Sequence, residues 1–167
     1  HVTDFAPIAR SLTDGETVTV DASTGARLGD GFIRFGGDYE SRGATNRAGF
    51  DQIPFFVAQT PANLALQGRR NYAEGDPETE AWNLWFNAAT HLGANEVYGF
   101  GTYGRRETLG ATFFRYPDST DNVPALYPNG FRPESVGETE DLSITGGLRR
   151  AWAGWDLDAS VSYGRNQ

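Results

Sequence analysis

The stretch Trp155-Asp156-Leu157-Asp158-Ala159-Ser160-Val161-Ser162-Tyr163 decides the fold class. Trp155, Leu157, Ala159, Val161 and Tyr163 fall on one side of an extended chain, and Asp156, Asp158, Ser160 and Ser162 on the other. Successive side chains of a strand point to opposite faces, so this period of two predicts a strand with one apolar and one polar face. Immediately upstream, Leu142, Ile144, Gly146 and Leu148 alternate with Ser143, Thr145 and Gly147. The intervening Arg150-Ala151-Trp152-Ala153-Gly154 is short enough to join the two as a hairpin.

The same pattern recurs toward the N-terminus. Trp82, Leu84, Phe86 and Ala88 alternate with Asn83, Trp85 and Asn87, and His91-Leu92-Gly93-Ala94-Asn95 reads as the next turn. Residues 97–106 follow as a strand, with Tyr98, Phe100 and Tyr103 putting aromatics on both faces. Residues 108–116 either continue that strand or fold back at Arg105-Arg106-Glu107. Residues 32–42 form a further strand, and residues 16–22 a shorter one. The connections 91–95 and 150–154 are tight, whereas 43–80 and 117–139 are long, polar and hold most of the prolines. Loops of that length are uncommon in a compact soluble domain, while alternating short and long connections suit a membrane barrel. The expected fold is therefore all-β, an antiparallel meander of about five to seven strands forming part of a large transmembrane β-barrel.

Composition agrees with this. The 21 glycines and 13% aromatics suit many strands with tight turns. There is no run of about 18 apolar residues to make a transmembrane helix. The mean hydropathy of −0.50 does not exclude a barrel wall, whose strands average apolar and polar residues. The net charge of −8, with no lysine and no basic stripe, repels phosphate backbones and excludes a nucleic-acid partner. Without cysteine there is no disulfide framework and no thiolate metal site. Without methionine the chain does not start at its own initiator, and His1 is expected to be a tag remnant or the start of a piece of something longer.

Six segments, in this order, carry a family resemblance: Gly75-Asp76-Pro77-Glu78; Phe86-Asn87-Ala88; Val97-Tyr98-Gly99-Phe100-Gly101-Thr102-Tyr103; Phe113-Phe114-Arg115; Tyr127-Pro128-Asn129-Gly130-Phe131-Arg132-Pro133; and Gly147-Leu148-Arg149 with Gly154-Trp155-Asp156-Leu157-Asp158-Ala159-Ser160. Over roughly residues 30–166 this ordered set resembles the barrel of large proteobacterial TonB-dependent receptors. The resemblance implies a plugged barrel of about 22 strands. It also implies a place in the outer membrane of a Gram-negative bacterium. The function implied is import of a scarce solute (siderophore, cobalamin, saccharide or similar), energised through TonB. The chain departs from the family in lacking a plug domain, a TonB box and a final barrel strand. Residues 1–167 are thus expected to be a partial barrel domain, with transport belonging to a parent protein. A small complete outer-membrane barrel and a soluble β-sandwich binding module are the alternatives.

The outer loops would meet the solute, and Tyr116, Tyr127, Phe131 and Arg132 are the candidate contacts. No catalytic residue, cofactor or metal site is expected. His91 stands in a turn with no nucleophile signature nearby. Glu134, Glu138, Glu140 and Asp141, like Asp118 and Asp121, lack the spacing of a calcium loop and read as solvated acidic loop. Asp156 and Asp158 read as lumen-facing residues, and Arg149, on the same polar side, would pair with lumen carboxylates. Trp152 and Trp155 at one end, and Trp82 at the other, would stand at the two membrane interfaces.

Overall fold

The computed structural model describes residues 11–167, so His1 lies outside the described residues. Six strands follow one another as β1 (Thr17–Leu28), β2 (Gly31–Arg42), β3 (Glu78–Leu92), β4 (Asn95–Ala111), β5 (Glu134–Trp152) and β6 (Trp155–Asn166). They form one sheet in the order β1-β2-β3-β4-β5-β6, an all-β antiparallel meander that is not closed. One helical turn, α1 (Pro61–Leu64), interrupts the β2–β3 connection. Thr60 caps it, its hydroxyl accepting from the Asn63 amide at 3.2 Å.

Two-residue turns close the hairpins. Gly29 and Gly93 take positive φ at the first central position of theirs, at 57° and 63°. The β5–β6 turn places both Ala153 (50°) and Gly154 (82°) there, as a type I′ turn requires. The β5–β6 register pairs Trp152 with Trp155, Leu148 with Ala159, Ile144 with Tyr163 and Thr145 with Ser162. Leu157, Ala159 and Val161 therefore share a face opposite Asp156, Asp158 and Ser160, as the alternation predicts.

The strands are longer than the sequence pattern implies. β1 runs to Leu28 rather than Ala22, because Gly29-Asp30 turns it into a hairpin with β2. β3 runs to Leu92, so His91 lies in a strand and not in the turn, which is only Gly93-Ala94. Ala151 and Trp152 likewise belong to β5, leaving Ala153-Gly154 as that turn. β4 continues through Arg105-Arg106-Glu107 and ends at Ala111, which decides between the two alternatives for residues 108–116. The largest correction is at β5, which begins at Glu134. Glu134, Glu138, Glu140 and Asp141 are thus strand residues and not an acidic loop. Backbone pairing does not require apolar side chains, and the antiparallel approach continues past Ala111 through Thr112 N–H to Pro133 O (2.9 Å) and an Arg115–Phe131 bridge.

The described chain divides into a sheet unit (residues 17–41, 80–107 and 137–167) and a loop unit (residues up to 16, 42–79 and 108–136). In the sheet unit no second layer covers either face among the described residues. Val161 is 77% exposed, Trp155 72%, Leu84 54% and Ile144 44%.

Ala153 holds a backbone conformation that costs an ordinary L-residue about 1–2 kcal/mol and that asparagine tolerates better. Ala153→Asn is expected to raise stability by roughly 0.5–1 kcal/mol, and Gly154→Val to lower it by about 1–2 kcal/mol. The shift of the denaturant midpoint checks both.

Candidate functional site

The loop unit is organised around a buried carboxylate. Asp51 is 1% exposed and accepts from the Ile53 amide at 2.8 Å, Asn71 Nδ2 at 2.7 Å and the Tyr116 hydroxyl at 2.7 Å. A buried charge is tolerable only with donors on its lone pairs, and these come from both long connections. Tyr116 also shares a 2.8 Å hydrogen bond with Tyr72. Around this polar knot pack Ile53, Leu66 and Tyr116, with Val57, Tyr72 and Phe114 at their edge. Asn63, fully buried, ties the β2–β3 connection to the β4–β5 connection through Asp118. The two loops read from the sequence as polar connections therefore share one small core.

Burial pushes the Tyr116 phenol well above its usual range, helped by its bonds to Tyr72 and Asp51. Burial likewise raises the Tyr72 phenol, with the Asp51 charge adding to it and the bond to Tyr116 opposing. In both, the folded surroundings favour the protonated phenol.

The four candidate contacts fall into three places. Tyr116 is 6% exposed and serves the loop core, so it presents no free surface to a solute. Tyr127 and Phe131 come together, their rings stacked with centroids 4.3 Å apart, and Tyr127 is 44% exposed. Arg132 is exposed and stands at a separate cleft of about 350 Å³, with Thr45, Asn46, Asp76, Glu78 and Glu134 among its walls. Residues 122–127 are irregular, as a presenting loop would be. Asp121 is held by Arg115 at 3.1 Å. The sequence reading overlooks Asp51 and Asn63, because a single Asp or Asn in a loop carries no periodicity to signal burial.

The polar face of the sheet carries its own network. Arg149 bridges Glu96 (2.9 Å) and Asp158 (3.0 Å), the pairing with carboxylates expected of it. Its guanidinium lies 4.2 Å from the Tyr98 ring centroid, and the Tyr98 hydroxyl donates to Asp158 at 2.7 Å. Asn83 donates to Asp38 at 2.7 Å, and Thr145 and Ser162 share a bond of 2.7 Å. These are cross-strand contacts between side chains of one face, each satisfied within the sheet.

The chain matches no protein-family model, no curated protein and no solved structure.

Tyr116→Phe removes the phenol's bond to a buried carboxylate and is expected to cost the loop unit about 1.5–3 kcal/mol. Hydrogen exchange at the Ile53 and Gly68 amides is the measure. A folded-state phenol held above its unfolded value near 10 contributes stability that is present below pH 10 and lost as pH rises beyond it. Exchange in the loop unit should therefore accelerate above about pH 10 more than ordinary base catalysis requires. That excess should shrink in the Tyr116→Phe protein.

Proposed function

We propose that this chain forms part of the wall and outer loops of an outer-membrane β-barrel of the TonB-dependent receptor type, which imports a scarce solute such as a siderophore, cobalamin or saccharide. The observation that carries this reading is an uncovered apolar sheet face backed by a polar face on which Arg149 is paired with Glu96 and Asp158 within the sheet. A water-soluble sandwich would set a second sheet against that apolar face. A barrel wall sets lipid there.

Three details support it. The apolar face of β5 runs from Leu142 through Ile144, Gly146 and Leu148 to Trp152, with Arg150 beside the turn, ten steps of about 3.3 Å along the strand. At a tilt of about 40° that is roughly 25 Å, the height of a barrel's apolar band. Aromatics mark its ends: the Trp152–Trp155 pair beside a tight turn, and Trp82 packed on Tyr39 at 4.3 Å toward the other. The strands reach 17 and 19 residues in β4 and β5, beyond the usual 3–10, as strands do that cross a membrane and continue past it.

The edges of β1 and β6 add a requirement. Unpaired backbone groups in hydrocarbon cost several kcal/mol each, so a spanning sheet must be continued by further strands until it closes. Connectivity sends the two long connections from the strand ends opposite the tight turns, the arrangement of outer loops and periplasmic turns. On this reading Tyr127, Phe131 and Arg132 contact the solute. The energy-coupling TonB complex and outer-membrane lipid are the other partners, each met by the parent receptor as a whole.

The absence of cysteine makes the test clean. Single cysteines at Ile144 and Val161 are expected to resist a water-soluble maleimide in membranes and to react once detergent is added. Cysteines at Ser160 and Ser162 should be labelled in both states by a reagent small enough to enter the lumen. Equal labelling of all four in membranes would remove the proposal.

A further inference from the structure

The apolar face carries its charge unevenly. In the sheet unit, period two puts Glu80, Arg105, Glu107, Glu138, Glu140 and Arg165 on it, all toward the strand ends that lead away from the tight turns. Toward the tight turns the same face carries one charge among the described residues, Arg150. Arg150 stands there because its neighbour Arg149 is committed to the polar face, where it meets Glu96 and Asp158. The register is unbroken at this point: Arg149 faces Asp158, Arg150 faces Leu157 and Trp152 faces Trp155.

The positions around Arg150 on this face are uncharged. Leu148 and Trp152 flank it on β5, and Leu157 lies across from it on β6, with Ala159 and Trp155 at the diagonals. On the other side the Arg149–Glu96 bridge sets the register of β4 and brings Asn95 level with Arg150, with Val97 next along. The carboxylates nearest in the ladder, Glu96, Asp156 and Asp158, belong to the polar face. Asp30, in the β1–β2 turn, is three strands away, about 14 Å. Because β5 is paired on both sides, strands added beyond β1 or β6 leave this setting unchanged. Arg150 is also placed by depth, two residues or about 6.6–6.8 Å from the Trp152–Trp155 pair that ends the apolar run. An arginine facing lipid is costly at mid-depth and nearly free at the interface, where its stem lies on apolar surface and its guanidinium reaches outward.

We infer that Arg150, set among Leu148, Leu157, Trp152 and Trp155, seats the phosphate of an anionic glycerophospholipid in the leaflet at the tight-turn rim. On the reading above this is the periplasmic leaflet, which is built of glycerophospholipids. A guanidinium can hold two phosphate oxygens at once, and an indole at the same level can add an N–H donor. A zwitterionic head group brings an ammonium that meets no carboxylate on this part of the face, so the net charge of the head group decides the preference. The inference rests on the membrane reading and adds to it a head-group charge at a defined place.

Native mass spectrometry tests it on the parent receptor, extracted from membranes in a neutral detergent, by counting retained lipid. Phosphatidylglycerol, phosphatidylethanolamine and phosphatidylcholine with the same acyl chains are supplied in turn. Retention of phosphatidylglycerol is expected to exceed that of the other two roughly fivefold. Arg150→Gln should remove the preference and Arg150→Lys should keep most of it. Leu157→Glu sets a carboxylate opposite Arg150 and should remove the preference with the arginine still in place, so the result does not hang on the folding of one variant. Arg165→Gln, at the far end of the same face, should leave the preference as it is. Equal retention of the three lipids, a preference that survives Arg150→Gln or Leu157→Glu, or one lost in Arg165→Gln would overturn the lipid seat. Labelling of the Ile144→Cys protein in intact membranes would instead overturn the membrane reading beneath it.

Discussion

An apolar sheet face must be taken out of water by something, and among the described residues of this chain nothing does so. Fully exposing a leucine, isoleucine or phenylalanine side chain costs about 1.5–3 kcal/mol relative to burying it. The uncovered face carries Leu84, Phe86, Ile144, Leu148 and Val161 along with Trp82, Trp152 and Trp155. A contiguous face of that kind is not a surface a soluble monomer sustains. The other features follow from how it is resolved. If lipid covers the face, the strands must be long enough to cross it, charges must keep to the opposite face or to the strand ends, and the free edges must be continued by neighbours.

The loop unit meets a different constraint. It has little apolar surface to bury, and its cluster of Ile53, Leu66 and Tyr116 is small. Its order comes instead from buried polar groups that draw hydrogen bonds from several segments at once. Asp51 needs donors from its own turn, from Asn71 and from Tyr116, and Asn63 reaches both Ala58 O (2.7 Å) and Asp118. A hydrogen-bonded knot of this kind specifies a conformation more sharply than hydrophobic contact does, because displacing one partner strands the rest.

How much of this was legible in the sequence divides along the same line. The sheet was legible because period two is a local signal: Trp155 to Tyr163 announces its faces without reference to any other segment. Its ends were less so. Charge at Glu134, Glu138 and Glu140 reads as loop, yet these residues continue a ladder whose hydrogen bonds are indifferent to side-chain polarity. Gly29-Asp30 offered a hairpin signal of the same kind as Gly93-Ala94, and the sequence reading stopped short of it at Ala22. The loop core was not legible at all. Asp51 and Tyr116 stand 65 residues apart, and no spacing rule couples them. Tyr116 therefore looks like a loop aromatic available to a ligand, while its hydroxyl is already committed to a buried carboxylate.

The distribution of paired and unpaired charge bears on where a solute would be met. On the polar face of the sheet, Arg149 is held by Glu96 and Asp158 and covered by Tyr98, so an anionic solute there would have to displace two carboxylates. Arg115 is engaged by Asp121, and Arg47 by Asp14 at 2.7 Å. Arg132 differs. It is exposed beside Thr45, Asn46, Asp76 and Glu134, in a cleft where, among the described residues, no ion pair holds it. A polar solute entering that cleft can gain a guanidinium donor without breaking an ion pair among the described residues. On the importer reading this makes Arg132, rather than Tyr116, the loop residue with interaction energy still to give.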